Sequence, residues 1–358
     1  MRTTDGTSIC QRLTAVARAR VRIGLTARLV LAMAAGLIVS LGQVAPVYAQ
    51  AGTAALDATL PEGLQTVTFH SPAVGREMKF DIVLPPDYET SERRYPVLYL
   101  LHGYMQNYTV WGRGLGAASH ARRLGELIVV MPDAGNSWYI NYAESNGQSN
   151  RWEDHIVEDV VGYVDANFRT EARREGRAIA GLSMGGYGAL TLALRHPDKF
   201  VSVASTSGAL AHARNRAAAI EAGQPAPVPR DMSSNPEMAR ADAMVAQLID
   251  IPGFSTQDER NPRGVDFVTA EQARAYDPFQ IIYQVPKSQL PHIYLDSGLE
   301  DRLISSALEF MQILLLNDVP FEYMQARGRH NAEYWRRSIG HFMPVQNEVM
   351  QQALGNRP

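Results

Sequence analysis

The chain has 358 residues, of which 46% are hydrophobic and 20% charged, a balance that excludes global disorder and requires a sizeable apolar core. Its formal net charge of -3 leaves no surplus of basic groups for a phosphate backbone, so nucleic acid is excluded as a principal partner. The length fits either one large α/β domain or two ordinary domains, and the order of elements along the chain must decide between them.

Residues 1–49 have the pattern of a Sec-type secretory signal peptide. Arginines at positions 2, 12, 18, 20, 22 and 28 and one acid, Asp5, flank the apolar run 29–41, and Val47-Tyr48-Ala49 places small residues where a signal peptidase requires them. We therefore predict cleavage after Ala49 and a secreted or periplasmic protein. The alternative is an uncleaved anchor, but the 13 apolar residues would span only about 20 Å of a hydrocarbon core of roughly 30 Å.

The exported chain is predicted to lack thiols, because the single cysteine, Cys10, lies in the signal segment. Disulfides, cysteine catalysis and thiolate metal sites are therefore not expected. Residues 50–62 have no sustained period and are predicted to form a flexible leader. No later apolar run approaches the length of a membrane helix, so we expect no stable membrane span after cleavage.

The rest of the chain alternates strand patterns with helix patterns. Residues 78–84 alternate apolar and polar, as in a strand with one covered face, whereas 96–103 and 127–133 are continuously apolar, as in strands buried on both faces of a parallel sheet. Between 156 and 168, apolar residues recur at helical spacing. Further strands are predicted at 177–181, 200–205, 292–298 and 321–326, and further helices at 185–195, 303–316 and from near 334. This order predicts an α/β domain over 63–358, with a mostly parallel central sheet flanked by helices.

Residues 211–276 interrupt this alternation. They are rich in Arg, Ala, Pro and polar residues and contain helix-compatible patches without a convincing strand. Because a structureless loop of this length is improbable inside a compact domain, we interpret the segment as a helical insertion over the edge of the sheet. It is either a lid or specificity cap or a passive surface insertion, and the sequence leaves both open.

A G-x-S-x-G pattern, Gly181 to Gly185, lies between a buried-strand pattern and a helix pattern. This is the setting of a nucleophile elbow, where a sharp turn holds the serine in a strained conformation and neighbouring glycines relieve crowding. The helix amino terminus would also favour negative charge that develops beside Ser183. An ordinary glycine-rich turn is the alternative interpretation.

A serine nucleophile needs a base and an acid, which this topology should supply in the order serine, acid, histidine. Asp301 follows the strand at 292–298 and is favoured over Asp296, which lies within that strand, while His330 follows the next strand. Among the other histidines, His102 ends a strand and is expected to shape a loop. No pair of residues has metal-site spacing, so neither a metal nor another cofactor is expected.

Acyl transfer also needs two aimed N–H donors for the oxyanion. We expect one from Met184, which follows the serine, and the other from Tyr104, in the loop after the strand at 96–103.

Five blocks, "PVLYLLHGY", "VVMPDAGNSWYINY", "AIAGLSMGGYGALTLALRHPDKF", "LDSGLED" and "GRHNAEYW", resemble an esterase family of the α/β-hydrolase fold. That family includes tributyrin, feruloyl and acetyl-xylan esterases, S-formylglutathione hydrolase and mycolyltransferases. The resemblance implies Ser183, Asp301 and His330 as catalytic triad and the Tyr104 and Met184 amides as oxyanion hole. It also makes Trp138 and Tyr139 candidates for substrate contact, with core packing as the alternative.

These features predict an exported serine esterase acting on simple acyl or carbohydrate-linked esters. Export argues against S-formylglutathione, a cytoplasmic thioester. Two alternatives are an acyltransferase that delivers the acyl group to a sugar or lipid hydroxyl, and a non-catalytic binding protein, which would require a broken triad.

Overall fold

The computed structural model describes residues 60–224 and 262–357. The predicted signal peptide with its cleavage site after Ala49, the cysteine Cys10, most of the predicted leader and the middle of the predicted insertion lie outside the described residues. These remain predictions from the sequence.

An eight-stranded sheet lies at the centre of the described residues. Its strands are β1 (Leu64–Ser71), β2 (Arg76–Val83), β3 (Val97–Leu101), β4 (Ile128–Pro132), β5 (Arg177–Leu182), β6 (Ser202–Thr206), β7 (His292–Gly298) and β8 (Phe321–Ala326). Their order across the sheet is β1-β2-β4-β3-β5-β6-β7-β8. Strand β2 pairs antiparallel with β1 and β4, and all other neighbours are parallel. The predicted α/β class with a mostly parallel sheet is confirmed.

Helices connect the strands and cover the sheet. They are α1 (Ala117–Leu124), α2 (Trp152–Asp154), α3 (Val161–Asn167), α4 (Met184–Arg195), α5 (His212–Glu221), α6 (Ala270–Arg274), α7 (Pro278–Ile281), α8 (Ile304–Leu316) and α9 (Ala332–Ala353). The helical pattern predicted over 156–168 is present, but a π-helical segment, His155–Val160, joins α2 to α3 within it.

The continuously apolar runs form the interior of the sheet, where β3, β4, β5 and β6 are buried along their whole length. Parallel strands covered on both faces need apolar side chains at every position, and this requirement explains the lack of alternation. Trp152, Phe200 and Phe310 pack in the cluster on one face, and Trp111, Trp335 and Phe342 pack in the cluster on the other. The carboxyl ends of the parallel strands consequently meet at one edge, where their loops can form a site.

The described ends of the predicted insertion pack against α4. Ala213 and Ala217 of α5, Ala270 and Ala273 of α6, Phe267 and Tyr276 form one apolar cluster with Tyr187. An ion pair joins the two ends of the insertion. Arg216 Nε and Nη2 lie 3.1 and 2.9 Å from the carboxylate oxygens of Asp266. Within 60–224 and 262–357, every helix is too short or too polar to cross a membrane.

Candidate active site

Ser183 lies at the sharp turn between β5 and α4. Its backbone has φ 53° and ψ -115°, a region that side-chain-bearing residues rarely adopt. The Ser183 N–H donates to the Thr206 carbonyl at 3.1 Å, and the Ser183 carbonyl accepts from the Ala209 N–H at 3.0 Å. The loop after β6 therefore holds the strained turn from one side.

Glycine is required at both ends of this turn, because neighbouring backbone atoms lie too close to Gly181 and Gly185 to leave room for a Cβ atom. A Cβ atom on Gly181 would lie 2.3 Å from the Gly185 carbonyl oxygen, and one on Gly185 would lie 2.3 Å from the Leu101 carbonyl oxygen. The second contact also places the first turn of α4 directly against the end of β3.

Ser183, His330 and Asp301 form one hydrogen-bonded chain. The Ser183 Oγ to His330 Nε2 distance is 2.9 Å, and His330 Nδ1 lies 2.9 Å from Asp301 Oδ2. A carboxylate accepts only, so Nδ1 carries the proton and Nε2 is left to accept from the serine hydroxyl. This is the tautomer that a general base requires.

Asp301 is held as a buried carboxylate. Burial disfavours its charge, but hydrogen bonds from His330 and the Leu303 amide outweigh burial and keep the pKa of this carboxyl below its ordinary value. The Leu303 N–H donates to Asp301 Oδ1 at 2.8 Å, and Asp301 is 2% exposed. The acid is therefore ionised and fixed in orientation beside the imidazole.

Asp296, the other acid considered, is bonded elsewhere. Thr206 Oγ1 donates to its Oδ1 and Ser338 Oγ donates to its Oδ2, each at 2.5 Å. The structure thus brings Asp301, rather than Asp296, to His330.

The loops after β3 and β4 are joined through His102. The Ala134 N–H donates to its Nε2 at 3.0 Å, so the proton lies on Nδ1, which is 2.8 Å from the Gly103 carbonyl. The Gly103 N–H donates to Gln106 Oε1 at 2.8 Å, which holds the same loop from its other side. Tyr104 follows in this loop, two residues after His102.

Met184 is the first residue of α4, so its N–H has no acceptor within the helix. The close contact of Gly185 with the end of β3 brings this amide and the Tyr104 loop to the same edge of the sheet. The assignment of these two amides to an oxyanion hole remains a prediction.

Trp138 and Tyr139 have different environments, although both have positive φ values, of 57° and 59°. Tyr139 is 1% exposed, and its hydroxyl donates to the His102 carbonyl at 2.8 Å, so it supports the loop from within the core. Trp138 is half-buried, and its ring lies 5.9 Å from that of Tyr104. Of the two, only Trp138 has a partly exposed ring, and its contact with substrate remains a prediction.

His212 is a neighbour of the site that the sequence gives no signal for. Its ring stacks on Trp138 with centroids 3.5 Å apart and planes 6° apart, and it contacts Tyr187 edge-on. Burial lowers the pKa of His212 to about 3, so the ring is neutral. The described part of the chain holds no group of three or more histidine, cysteine or acidic side chains placed to bind a metal.

Comparisons with known proteins agree on one family. The family model described as "Putative esterase" matches residues 71–341. An esterase of Mycobacterium tuberculosis is 31% identical over 271 residues, which cover 73% of this chain and 54% of that protein. The diacylglycerol acyltransferase/mycolyltransferase Ag85A of the same species is 32% identical over 198 residues, covering 52% of this chain and 54% of that protein.

Among solved structures, the substrate-bound fluorophosphonate-binding serine hydrolase F of Staphylococcus aureus superposes with a TM-score of 0.59 at 25% identity. The match covers 79% of this chain and 98% of that one. The chain spans about half the length of the curated mycobacterial relatives it matches.

Proposed function

The chain belongs to the Putative esterase family and has the α/β-hydrolase fold, and from that premise we propose that it is an exported serine esterase that hydrolyses carboxylic esters. The observation that carries the proposal is the chain of two 2.9 Å hydrogen bonds from Ser183 through His330 to Asp301. Export is proposed from the pattern of residues 1–49.

The proposed reaction begins with attack of Ser183 Oγ on the ester carbonyl. His330 Nε2 takes the serine proton, and the amides of Met184 and Tyr104 stabilise the oxyanion of the tetrahedral intermediate. His330 then returns the proton to the leaving alcohol. Water, activated by the same imidazole, releases the acid from the acyl-enzyme and regenerates Ser183.

The role of Ser183 is tested by Ser183→Ala. We expect kcat/KM for 4-nitrophenyl acetate to fall at least about a thousandfold, because the acyl-enzyme cannot form. The matched control is Ser305→Ala, which removes an exposed hydroxyl from α8. Far-ultraviolet circular dichroism should be unchanged in both variants. Retained turnover in folded Ser183→Ala would refute the assignment.

An acyltransferase is the second candidate, favoured by the similarity to the mycolyltransferase Ag85A. It would use the same acyl-enzyme and exclude water in favour of a sugar or lipid hydroxyl. Product analysis with and without an added sugar distinguishes the two, since a hydrolase yields only free acid. A panel of simple acyl and feruloyl esters would then define the acyl group.

The non-catalytic alternative requires that Ser183 be unreactive. Its test is labelling of the folded protein with a fluorophosphonate probe. The proposed esterase forms a covalent adduct on Ser183, whereas a binding protein with an idle triad remains unlabelled.

A further inference from the structure

Arg302 and Arg329 immediately adjoin the acid and the base of the proposed triad. Arg302 follows Asp301, and Arg329 precedes His330; both are exposed. Neither side chain makes a hydrogen bond, ion pair or ring contact with any residue in 60–224 or 262–357, and the same holds for the nearby Arg327.

The two segments that carry these arginines are tied together. The Leu299 N–H donates to the Ala326 carbonyl and the Glu300 N–H donates to the Gly328 carbonyl, both at 2.9 Å. The Gly328 N–H in turn donates to Glu300 Oε2 at 2.6 Å. The arginines therefore adjoin the site on a paired loop rather than on two independent segments.

The arginines on the adjacent helix α9 differ, because their side chains donate hydrogen bonds to backbone carbonyls. Arg336 Nε donates to the Gly114 carbonyl at 3.0 Å, and Arg337 Nη2 donates to the Arg327 carbonyl at 2.7 Å. The nearby acids are Glu300, whose carboxylate accepts from Gly328, and Glu333, exposed in the first turn of α9. With Asp301 counted as well, five arginines (Arg302, Arg327, Arg329, Arg336 and Arg337) stand against three acids on this rim, a local positive surplus in a chain of net charge -3.

The position of this charge selects one part of the substrate. His330 Nε2 must reach the oxygen of the departing alcohol to return its proton, so the groups around His330 face the alcohol part of the ester. Guanidinium groups bind carboxylate and phosphate oxygens through charge-assisted hydrogen bonds.

We propose that Arg302 and Arg329 bind a carboxylate or phosphate group on the alcohol part of the ester, which makes anionic esters the preferred substrates. This inference rests on the proposed esterase function and deepens it by naming a substrate class.

The test compares anionic with neutral esters of the same acyl group. The anionic probes are 4-acetoxybenzoate and 4-acetoxyphenyl phosphate, and the neutral probe is methyl 4-acetoxybenzoate. The ratio of kcat/KM for each anionic probe to that for the neutral probe is measured in wild type, Arg302→Gln, Arg329→Gln and the double variant. Comparing ratios between variants cancels the intrinsic reactivity of each ester.

We expect each single substitution to lower the ratio about twofold to fivefold, the range of an exposed ion pair, and the double substitution to lower it about tenfold. Added salt should reduce the ratio in wild type more than in the double variant. The control is Lys287→Gln, an exposed lysine near the amino end of β7, at the opposite edge of the sheet, and its ratio should equal that of wild type.

Equal ratios in wild type and the double variant would overturn the inference while leaving the esterase function intact. If the wild-type protein instead turned over none of the three esters, the proposed esterase function itself would be wrong. A second pair, 4-nitrophenyl hemisuccinate and 4-nitrophenyl butyrate, places the charge on the acyl part. If the arginine substitutions change the kcat/KM ratio only for this second pair of esters, the assignment of the arginines to the alcohol part is wrong.

Discussion

Strain at Ser183 is maintained by contacts on both sides of its turn. The φ of 53° carries a conformational cost of order 1–3 kcal/mol, and it persists because β3, β5 and the loop after β6 all bond or press against the turn. These contacts hold the turn in the conformation that places Ser183 Oγ 2.9 Å from His330 Nε2.

Gly185→Ala tests that support. A Cβ atom there would meet the Leu101 carbonyl oxygen at 2.3 Å, so we expect a loss of about 2–4 kcal/mol in the free energy of unfolding and a large loss of esterase activity. Urea denaturation and turnover of 4-nitrophenyl acetate provide the measurements.

The matched control is Gly162→Ala in α3, where the added Cβ meets no atom within 4 Å from any other part of the described chain. This substitution should stabilise the protein by about 0.5–1 kcal/mol, because alanine favours the helix. If Gly185→Ala is as stable and active as wild type, the close approach of α4 to β3 has no role in the site.

The sequence anticipated the three residues of the proposed triad because their chain order and strand-end positions follow from topology. It also favoured Asp301 over Asp296, because Asp301 follows β7 whereas Asp296 lies within that strand. The position of His212 could not be predicted from the sequence, because its stacking on Trp138 joins segments far apart in the chain. The burial of Tyr139 depends likewise on a tertiary contact, with the His102 carbonyl.

At the scale of elements, continuous apolar runs identified the buried strands, and helix patterns identified α3, α4, α8 and α9 to within a few residues. Helix α1 (Ala117–Leu124) was not predicted. The pattern missed β1, in which most side chains between Leu64 and Ser71 are exposed or half-buried. Its pairing with β2 through a hairpin, rather than its own apolar content, makes it a strand. The π-helical segment within 152–167 also has no signature in apolar spacing.

Glu153 of α2 joins three separate parts of the chain. Arg195 and His196, at the end of α4, lie 2.8 and 2.6 Å from its Oε1, and the Tyr276 hydroxyl donates to its Oε2. Burial disfavours this carboxylate, but the hydrogen bonds from His196 and Arg195 outweigh burial and lower the pKa of Glu153 to about 2.

Glu153→Gln should destabilise the protein by about 2–3 kcal/mol at neutral pH, because Arg195 loses its counter-charge in a partly buried site. A carboxyl with a lowered folded-state pKa contributes stability above its unfolded pKa of 4.5, and this contribution is lost as pH falls toward 2. The difference between wild type and variant should therefore shrink across that window in urea titrations.

Glu158→Gln is the control, since Glu158 is exposed and pairs with Lys199 at 3.3 Å on the surface. It should change stability little at any pH. An equal effect of the two substitutions would contradict the structural role assigned to Glu153.

At the scale of the whole molecule, the stability of the sheet and that of the site are linked through Asp296. Thr206 of β6 and Ser338 of α9, whose hydroxyls lie 2.9 Å apart, both donate to this carboxyl, and β6 also accepts from the Ser183 N–H. Burial raises the pKa of Asp296 from 3.8 to about 6.

Because the pKa of Asp296 is raised, its effect on the pH dependence of the free energy of unfolding has the opposite sign to that of Glu153. Between pH 3.8 and about 6 the folded chain retains a proton that the unfolded chain has lost, so the free energy of unfolding falls as pH rises through this window, by about 3 kcal/mol. Asp296→Asn mimics the protonated carboxyl and removes this dependence. Relative to wild type, the variant should therefore gain stability as the pH of urea unfolding rises from 4 to about 6, and the difference should level off above that pH. Parallel curves for the two proteins would show that Asp296 has an ordinary pKa, and the cost of its burial would then have to be met by stronger hydrogen bonds from Thr206 and Ser338.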